Sequence, residues 1–187
     1  MRIIGGTLSG RKIAPPVSRT TRPMMDRVRE SLFNILAHHE WGRPIGDPFN
    51  STYVLDAFCG TGALAFEAIS RGAKHATLFD LDRQALQVAT KNAAALEIED
   101  NCDILQMDAL APMRAPKTCK LIFLAPPYRK GLIPPAMIAL NKAGWIAPHA
   151  LIVAETAKKE TLDLPEGYVV TLSRYYADTG LHFIVRD

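Results

Sequence analysis

The chain has 187 residues, of which 48% are hydrophobic, and a net charge of +3 at pH 7. This length supports one domain with a sizeable core and leaves little room for a second. No apolar run approaches the roughly 18 residues that cross a membrane, and the N-terminus lacks the apolar segment of a secretory signal. The cysteines, Cys59, Cys102 and Cys119, lie far apart and form no metal-ligand pattern. We therefore expect a cytoplasmic monomer that binds neither a membrane nor a metal.

Positive charge is concentrated at the N-terminus. Residues 1–43 contain eight basic and three acidic residues, whereas the remainder carries a net charge of −2. Seven of the eight are arginines, whose planar guanidinium groups favour phosphate contacts. Such a basic arm is typical of polyanion binding, although a solvated N-terminal segment has the same composition. We predict nucleic-acid contacts from Arg2, Arg11, Lys12, Arg22, Arg27 and Arg29.

The first 43 residues predict an arm followed by a helix. A hairpin turn is predicted at Ser9-Gly10, and apolar residues recur at helical spacing between Met24 and His39. We predict that residues 1–43 form an extension that packs on a second unit, residues 44–187.

Strand-like and helix-like segments then alternate, as in a parallel sheet covered by helices. The predicted strands cover residues 53–56, 75–79, 102–106, 121–124 and 151–155, and the predicted helices 62–71, 83–96 and 135–142. A closing antiparallel pair is predicted over residues 168–175 and 181–185.

Three acidic residues follow predicted strands, at the sheet edge where ligands bind in open α/β folds. Asp56 precedes a turn in which Gly60 and Gly62 allow a ligand to approach the backbone closely. A buried carboxylate is costly unless it is paired, and a cationic ligand is one such partner. Asp80 suits ribose hydroxyls and Asp108 an adenine amine, although Asp108 could cap a turn instead, and Asp82 is predicted to cap the next helix.

The segment Ala125-Pro126-Pro127-Tyr128 follows an apolar strand, which its prolines end abruptly. It resembles the Asp/Asn-Pro-Pro-Tyr/Phe motif of methyltransferases that act on exocyclic amines, with alanine at the first position. That motif implies two acceptors for the amine, the Asp/Asn side chain and a backbone carbonyl, that of Pro126. Tyr128 would stack on the base. Losing one such polar contact typically costs about 10²–10³ in rate.

Further motifs extend the resemblance over essentially the whole chain. They are Met1-Arg-Ile-Ile-Gly-Gly6 with Gly10-Arg-Lys12, Arg22-Pro-Met-Met-Asp-Arg-Val-Arg-Glu-Ser-Leu-Phe-Asn34, Phe58-Cys-Gly-Thr-Gly-Ala-Leu64, Glu67-Ala68, Ser70-Arg-Gly-Ala73, Gly144-Trp145 and Glu155-Thr156. With the proline turn, they make the chain similar to a bacterial family of class I methyltransferases that uses S-adenosylmethionine to methylate the exocyclic N2 amine of a guanine in 16S rRNA.

This resemblance implies a Rossmann-like α/β fold, a mostly parallel seven-stranded sheet with helices on both faces and a C-terminal antiparallel strand pair. It implies S-adenosylmethionine as cofactor, S-adenosylhomocysteine as product, and 16S rRNA or an assembling small ribosomal subunit as partner. The cofactor-binding residues that it implies are Asp56, Phe58, Gly60, Gly62, Asp80 and Asp108, and the catalytic ones are Ala125, Pro126, Pro127 and Tyr128.

Ala125 leaves other functions open. One is a catalytically impaired rRNA-binding or assembly factor that retains the fold. Another is an amine methyltransferase that acts on DNA adenine or on a protein glutamine. The basic arm disfavours the protein substrate, and the N-terminal motifs disfavour DNA.

Overall fold

The computed structural model describes residues 1–16, 24–42 and 45–186 of the chain. Within these ranges there are four α-helices: α1 (Asp26–His38), α2 (Ala63–Ser70), α3 (Arg83–Leu96) and α4 (Ile133–Lys142). The strands are β1 (Tyr53–Asp56), β2 (His75–Asp80), β3 (Cys102–Gln106), β4 (Cys119–Leu124), β5 (Ile146–Ala157), β6 (Tyr168–Tyr176) and β7 (Thr179–Arg186). Across the described residues, none of the helices has the length and apolar character to cross a membrane.

The strands form a single sheet in the order β3-β2-β1-β4-β5-β7-β6. Strands β1 to β5 pair in parallel, and β7 pairs antiparallel with β5 and with β6. The central strand β4 is almost wholly buried, since helices cover both faces of the sheet. This architecture confirms the predicted fold class.

Two hydrophobic cores lie on the two faces of the sheet. Phe123 of β4 joins the first core, which holds the apolar faces of α1, α2 and α3. Its neighbours Ile122 and Leu124 join the second core, which holds α4 and Trp145. Alternate residues of a strand point to opposite faces, so the apolar run of β4 serves both cores.

The N-terminal arm is a short hairpin attached to the body. Arg2 and Lys12 form an antiparallel bridge, and Ile3 and Ile13 are buried in the first core. The buried carboxylate of Glu67 on α2 accepts hydrogen bonds from two backbone amides of the hairpin, at 2.8 Å each. The hairpin predicted at Ser9-Gly10 is therefore present.

Strand β5 is longer than the predicted 151–155. It begins at Ile146 and includes the exposed residues Pro148 and His149, of which His149 has a φ of 57°. The pairing of β5 with β4 shifts register between Cys119 and Leu121. These polar and irregular residues conceal the early part of the strand in the sequence pattern.

Candidate functional site

The strand order reverses between β1 and β4, which creates a crevice at the carboxyl ends of these strands. Asp56 ends β1, Asp80 ends β2, and Ala125 follows β4 at once. Each of these residues lies two positions after a strand residue of the first core, so all three share that face of the sheet. The fold thus brings the two predicted halves of the site to one edge.

Asp56 is the most unusual group at this edge. Its side chain is 1% exposed, and neither carboxylate oxygen has a hydrogen-bond partner among the described residues. Burial, and secondarily the charge of Asp80, raise its pKa from 3.8 to about 7. The backbone amides of Ala65 and Phe58 offset part of this rise without reaching hydrogen-bond geometry. A cation beside Asp56 would remove this penalty.

The two glycines of the turn have different roles. Gly62 has φ 80° and precedes α2, and a Cβ there would lie 2.4 Å from the ring of Phe66. Gly60 has φ 53°, and a Cβ there would meet no atom within 4 Å. Gly62 therefore serves packing, whereas Gly60 leaves open space for a ligand.

The other acids of this edge organise turns. Asp80 accepts hydrogen bonds from the amides of Gly60, at 2.8 Å, and of Asp82, at 2.9 Å. Asp82 caps α3 by accepting from the amide of Gln84 at 2.8 Å. Asp108 accepts from the amide of Leu110 at 2.9 Å. A carboxylate has about four lone-pair sites, so these bonds leave capacity for a ligand hydroxyl or amine.

A second buried acid, Glu155, lies beside the proline turn that follows β4. Pro126 is buried, and the hydroxyl of Tyr128 donates to Oε1 of Glu155 and lies 2.9 Å from Oγ1 of Thr179. The last parallel pair of β4 and β5 joins Leu124 to Ala154, so Glu155 stands level with Ala125. The sequence analysis counts Glu155 among the residues that carry the resemblance but assigns it no chemical role, although it ends a predicted strand as Asp56 does.

A cleft of about 360 Å³ opens beside this pair, and its lining includes Pro126, Pro127, Tyr128, Glu155 and Thr156. Glu155 is 8% exposed, and burial raises its pKa, an effect that the hydroxyl of Tyr128 partly offsets. Glu160 also lines the cleft, but its carboxylate accepts from the backbone amides of Arg129, at 3.0 Å, and of Ala157, at 3.1 Å. The cleft therefore has a mixed polar and apolar lining, and it contains one buried acid, Glu155, that accepts from the side chain of Tyr128.

The six basic residues predicted to contact nucleic acid are not equivalent. Arg2, Lys12 and Arg27 are exposed, and Arg22 lies outside the described residues. The guanidinium of Arg11 donates to the carbonyls of Leu96, at 2.9 Å, and Ala95, at 2.6 Å, at the C-terminal end of α3.

Arg29 requires a correction. It is 1% exposed, and its Nη2 donates to the carbonyl of Arg2 at 2.7 Å and to Asp26 at 3.0 Å. A guanidinium enclosed in this way links α1 to the hairpin and is not presented to a polyanion. Its position on α1, next to the apolar stripe, explains why it turns inward.

The residues at the edge fit a cationic nucleoside. Asp56 offers an unpaired buried carboxylate, Gly60 offers open space beside the backbone, and Asp80 and Asp108 retain acceptor capacity. Within the part of the chain that the structure describes, no group of three or more His, Cys, Asp or Glu side chains could hold a metal ion.

Known proteins resemble this chain along most of its length. Ribosomal RNA small subunit methyltransferase D of Escherichia coli K12 is 39% identical over 157 residues, which are 83% of this chain and 74% of that protein. The protein of the same name in Haemophilus influenzae is 33% identical over 174 residues, or 91% of this chain and 86% of that one.

Solved structures agree. The Escherichia coli protein yhhF, provisionally described as a methyltransferase, is 32% identical and superposes with a TM-score of 0.83, covering 100% of this chain and 98% of that one. An RNA methyltransferase of Salinibacter ruber, in complex with S-adenosyl-L-homocysteine, is 13% identical, with a TM-score of 0.63 over 88% of this chain and 94% of that one. At this level of identity, the second comparison shows only that the two proteins share a fold.

The family described as conserved hypothetical protein 95 matches residues 1–185. This match spans the hairpin, the glycine turn and the proline turn together. It agrees with the relatives above, and the resemblance inferred from the sequence is confirmed. The chain belongs to the conserved hypothetical protein 95 family, the family of ribosomal RNA small subunit methyltransferase D.

Proposed function

We propose that this protein transfers a methyl group from S-adenosylmethionine to the exocyclic N2 amine of one guanine in 16S rRNA, free or in an assembling small subunit, as a cytoplasmic monomer. The observation that carries the proposal is Asp56, a buried carboxylate without a hydrogen-bond partner among the described residues, at the point where the strand order reverses. The names of the relatives support the RNA substrate.

The cofactor half of the site would be built around this carboxylate. Asp56 would pair with the positive charge of the cofactor, Gly60 would admit it to the backbone, and Phe58 would flank it. Asp80 would accept from the ribose hydroxyls and Asp108 from the adenine amine, both through lone pairs that their turns leave available.

The substrate half would lie at the proline turn. Bound S-adenosylmethionine would supply an electrophilic methyl group: the amine nitrogen would form the new N–C bond, the C–S electron pair would stay on sulfur to give S-adenosylhomocysteine, and the amine would release one proton to solvent water. The aromatic amine is a weak nucleophile because its lone pair is delocalised, so the protein must orient it. The carbonyl of Pro126 would accept one amine hydrogen, and Tyr128 would stack on the base.

The N-terminal extension would hold the RNA. Arg2 and Lys12 on the hairpin and Arg27 on α1 are exposed and available for phosphates. We therefore propose a division of labour, in which residues 1–43 contribute RNA contacts and residues 44–187 carry the methyl-transfer site.

Ala125 favours a second candidate, an rRNA-binding or assembly factor with little or no catalysis. It is the specific observation for that reading, because its side chain offers no acceptor to the amine. Both candidates keep the cofactor site and the basic surface, and they differ in turnover alone.

The test is methyl transfer to small ribosomal particles and rRNA from a strain that lacks the modification, comparing the unchanged chain with Ala125→Asp. We expect the unchanged chain to methylate one guanine at N2, and Ala125→Asp to do so faster. Activity in Ala125→Asp alone would support the binding factor. Inactivity of both proteins on every such substrate would overturn the assignment.

A further inference from the structure

The cleft at the proline turn contains a carboxylate that the Asp/Asn motif does not supply. Ala125 occupies the motif position, yet Glu155 stands level with it on the adjacent parallel strand and lines the cleft formed by Pro126, Pro127 and Tyr128. The two residues lie two positions after first-core residues of β4 and β5, so their side chains share one face of the sheet.

Glu155 lacks the partners that a structural buried acid usually has. It is 8% exposed, and none of the ion pairs within residues 1–16, 24–42 and 45–186 includes it. Its carboxylate accepts a hydrogen bond from the hydroxyl of Tyr128, which also lies 2.9 Å from Oγ1 of Thr179. This contact fixes the position of the carboxylate and still leaves lone pairs for a ligand.

The chemistry of the bases decides what such a carboxylate can recognise. Guanine presents two adjacent donors on its pairing edge, the N1–H and the N2 amine, which match the two oxygens of a carboxylate. Adenine and cytosine present one amine beside a ring nitrogen that accepts, and a carboxylate would repel that nitrogen. An acid at this place therefore selects guanine among the amine-bearing bases.

We propose that Glu155 is the catalytic residue that binds the donor edge of the target guanine and compensates for Ala125. This inference rests on the proposed function. Glu155 accepts from the N2 amine, orients its lone pair toward the methyl group, and stabilises the positive charge that develops on nitrogen as the N–C bond forms. The ring of Tyr128 would contact the base while its hydroxyl positions the carboxylate, and Thr179 is a positioning residue that contacts that hydroxyl.

The experiment compares Glu155→Gln with Glu160→Gln, an acid in the same cleft whose oxygens are engaged by backbone amides. The substrates are reconstituted small-subunit particles in which the mapped target position carries guanine or 2-aminopurine. 2-Aminopurine keeps the N2 amine but has an accepting N1. A glutamine offers one acceptor and one donor, the complement of that edge.

We expect Glu155→Gln to lower kcat/KM on guanine by about 10²–10³ and to lower it far less on 2-aminopurine. Glu160→Gln disturbs only the backbone contacts of residues 129 and 157, so it should change both values by the same factor and leave the preference for guanine unchanged. Calorimetry with S-adenosylhomocysteine and thermal unfolding report folding independently of activity. If Glu155→Gln does not fold, Glu155→Asp serves instead, and it should be slower yet keep the preference for guanine.

Several results would overturn the inference. Equal losses on the two bases would make Glu155 a structural residue, and an unchanged rate in Glu155→Gln would remove its role altogether. Activity in Ala125→Asp alone would show that Glu155 does not replace the motif acid, and the unchanged chain would then be the binding factor. Inactivity of every variant, Ala125→Asp included, would instead be a failure of the proposed function.

Discussion

The two halves of the ligand edge hold their acids in opposite ways. At the ends of β1 and β2, the carboxylate of Asp80 accepts from two backbone amides, whereas that of Asp56 accepts from none. Backbone amides therefore compensate the charge of Asp80 and leave the carboxylate of Asp56 unpaired. At β4 and β5, the motif acid is absent and Glu155 is held by the side chain of Tyr128. Substitutions in the first half should therefore impair folding and cofactor binding, and those in the second should impair rate and base selection.

The largest effect is expected from Gly62→Ala. The new Cβ would lie 2.4 Å from the Phe66 ring in a left-handed conformation, which costs about 2–5 kcal/mol of unfolding free energy. Gly60→Ala is the matched control, since open space limits its cost to about 1–2 kcal/mol of backbone strain. Chemical denaturation measures both, and equal losses would contradict the distinction between the two glycines.

Asp56→Asn should weaken binding of S-adenosylmethionine without unfolding the protein. Loss of a charge-assisted contact corresponds to about 10- to 100-fold in the dissociation constant. Calorimetric titration gives this value directly, and Asp82→Asn is the control, because Asp82 caps α3. An unchanged affinity in Asp56→Asn would contradict the proposal that the Asp56 carboxylate pairs with the positive charge of S-adenosylmethionine.

The ligand-free protein should lose stability as the pH rises. The pKa of Asp56 is raised from 3.8 to about 7 in the folded state, so the folded state holds the proton more tightly than the unfolded one. Its contribution is fully present below the unfolded pKa and disappears as the pH passes about 7. The difference in unfolding free energy between the wild type and Asp56→Asn, measured by denaturation across this range, isolates the effect. A difference that does not vary with pH would contradict the assigned pKa.

Tyr128→Phe probes the side-chain support of the other half. It keeps the ring but removes the hydroxyl that lowers the pKa of Glu155. We expect about a fivefold loss of kcat, equivalent to about 1 kcal/mol, and an acid limb of the pH–rate profile that moves to higher pH. A profile that keeps its position would show that Glu155 does not govern the rate.

The smallest effect concerns the basic arm. Lys12→Gln should make the slope of log binding constant against log salt concentration shallower by about 0.9, the value for one phosphate contact, because Lys12 is exposed. Arg11→Gln should leave that slope unchanged and lower stability by about 0.3–1 kcal/mol, because Arg11 binds the end of α3. Filter binding over a series of salt concentrations separates the two, and equal slopes would contradict the assignment.

The sequence pattern predicted the fold and the ligand edge, because buried parallel strands read as short apolar runs and the acids stand directly after them. It could not show that the carboxylate of Asp80 accepts a hydrogen bond from the glycine turn after β1, or that the carboxylate of Asp56 has no hydrogen-bond partner among the described residues. Both depend on where the backbone amides of the glycine turn point, which is set by tertiary geometry.

The same limit explains the error at Arg29 and the lack of an assigned role for Glu155. Composition counts Arg29 as part of a basic arm, whereas its burial follows from the face of α1 that packs on the hairpin. Glu155 is brought beside Ala125 by the pairing of β4 with β5, two strands separated by more than twenty residues. No local pattern records that pairing.

The claim that Asp56 anchors a cationic cofactor is tested most directly by the protons exchanged on binding. Titrations of the wild type and Asp56→Asn with S-adenosylmethionine at pH 7, in buffers of different ionisation enthalpy, measure that number. A carboxyl with a pKa of about 7 is half protonated before binding, so the wild type should release about half a proton more than Asp56→Asn. Equal proton exchange by the two proteins would contradict the account.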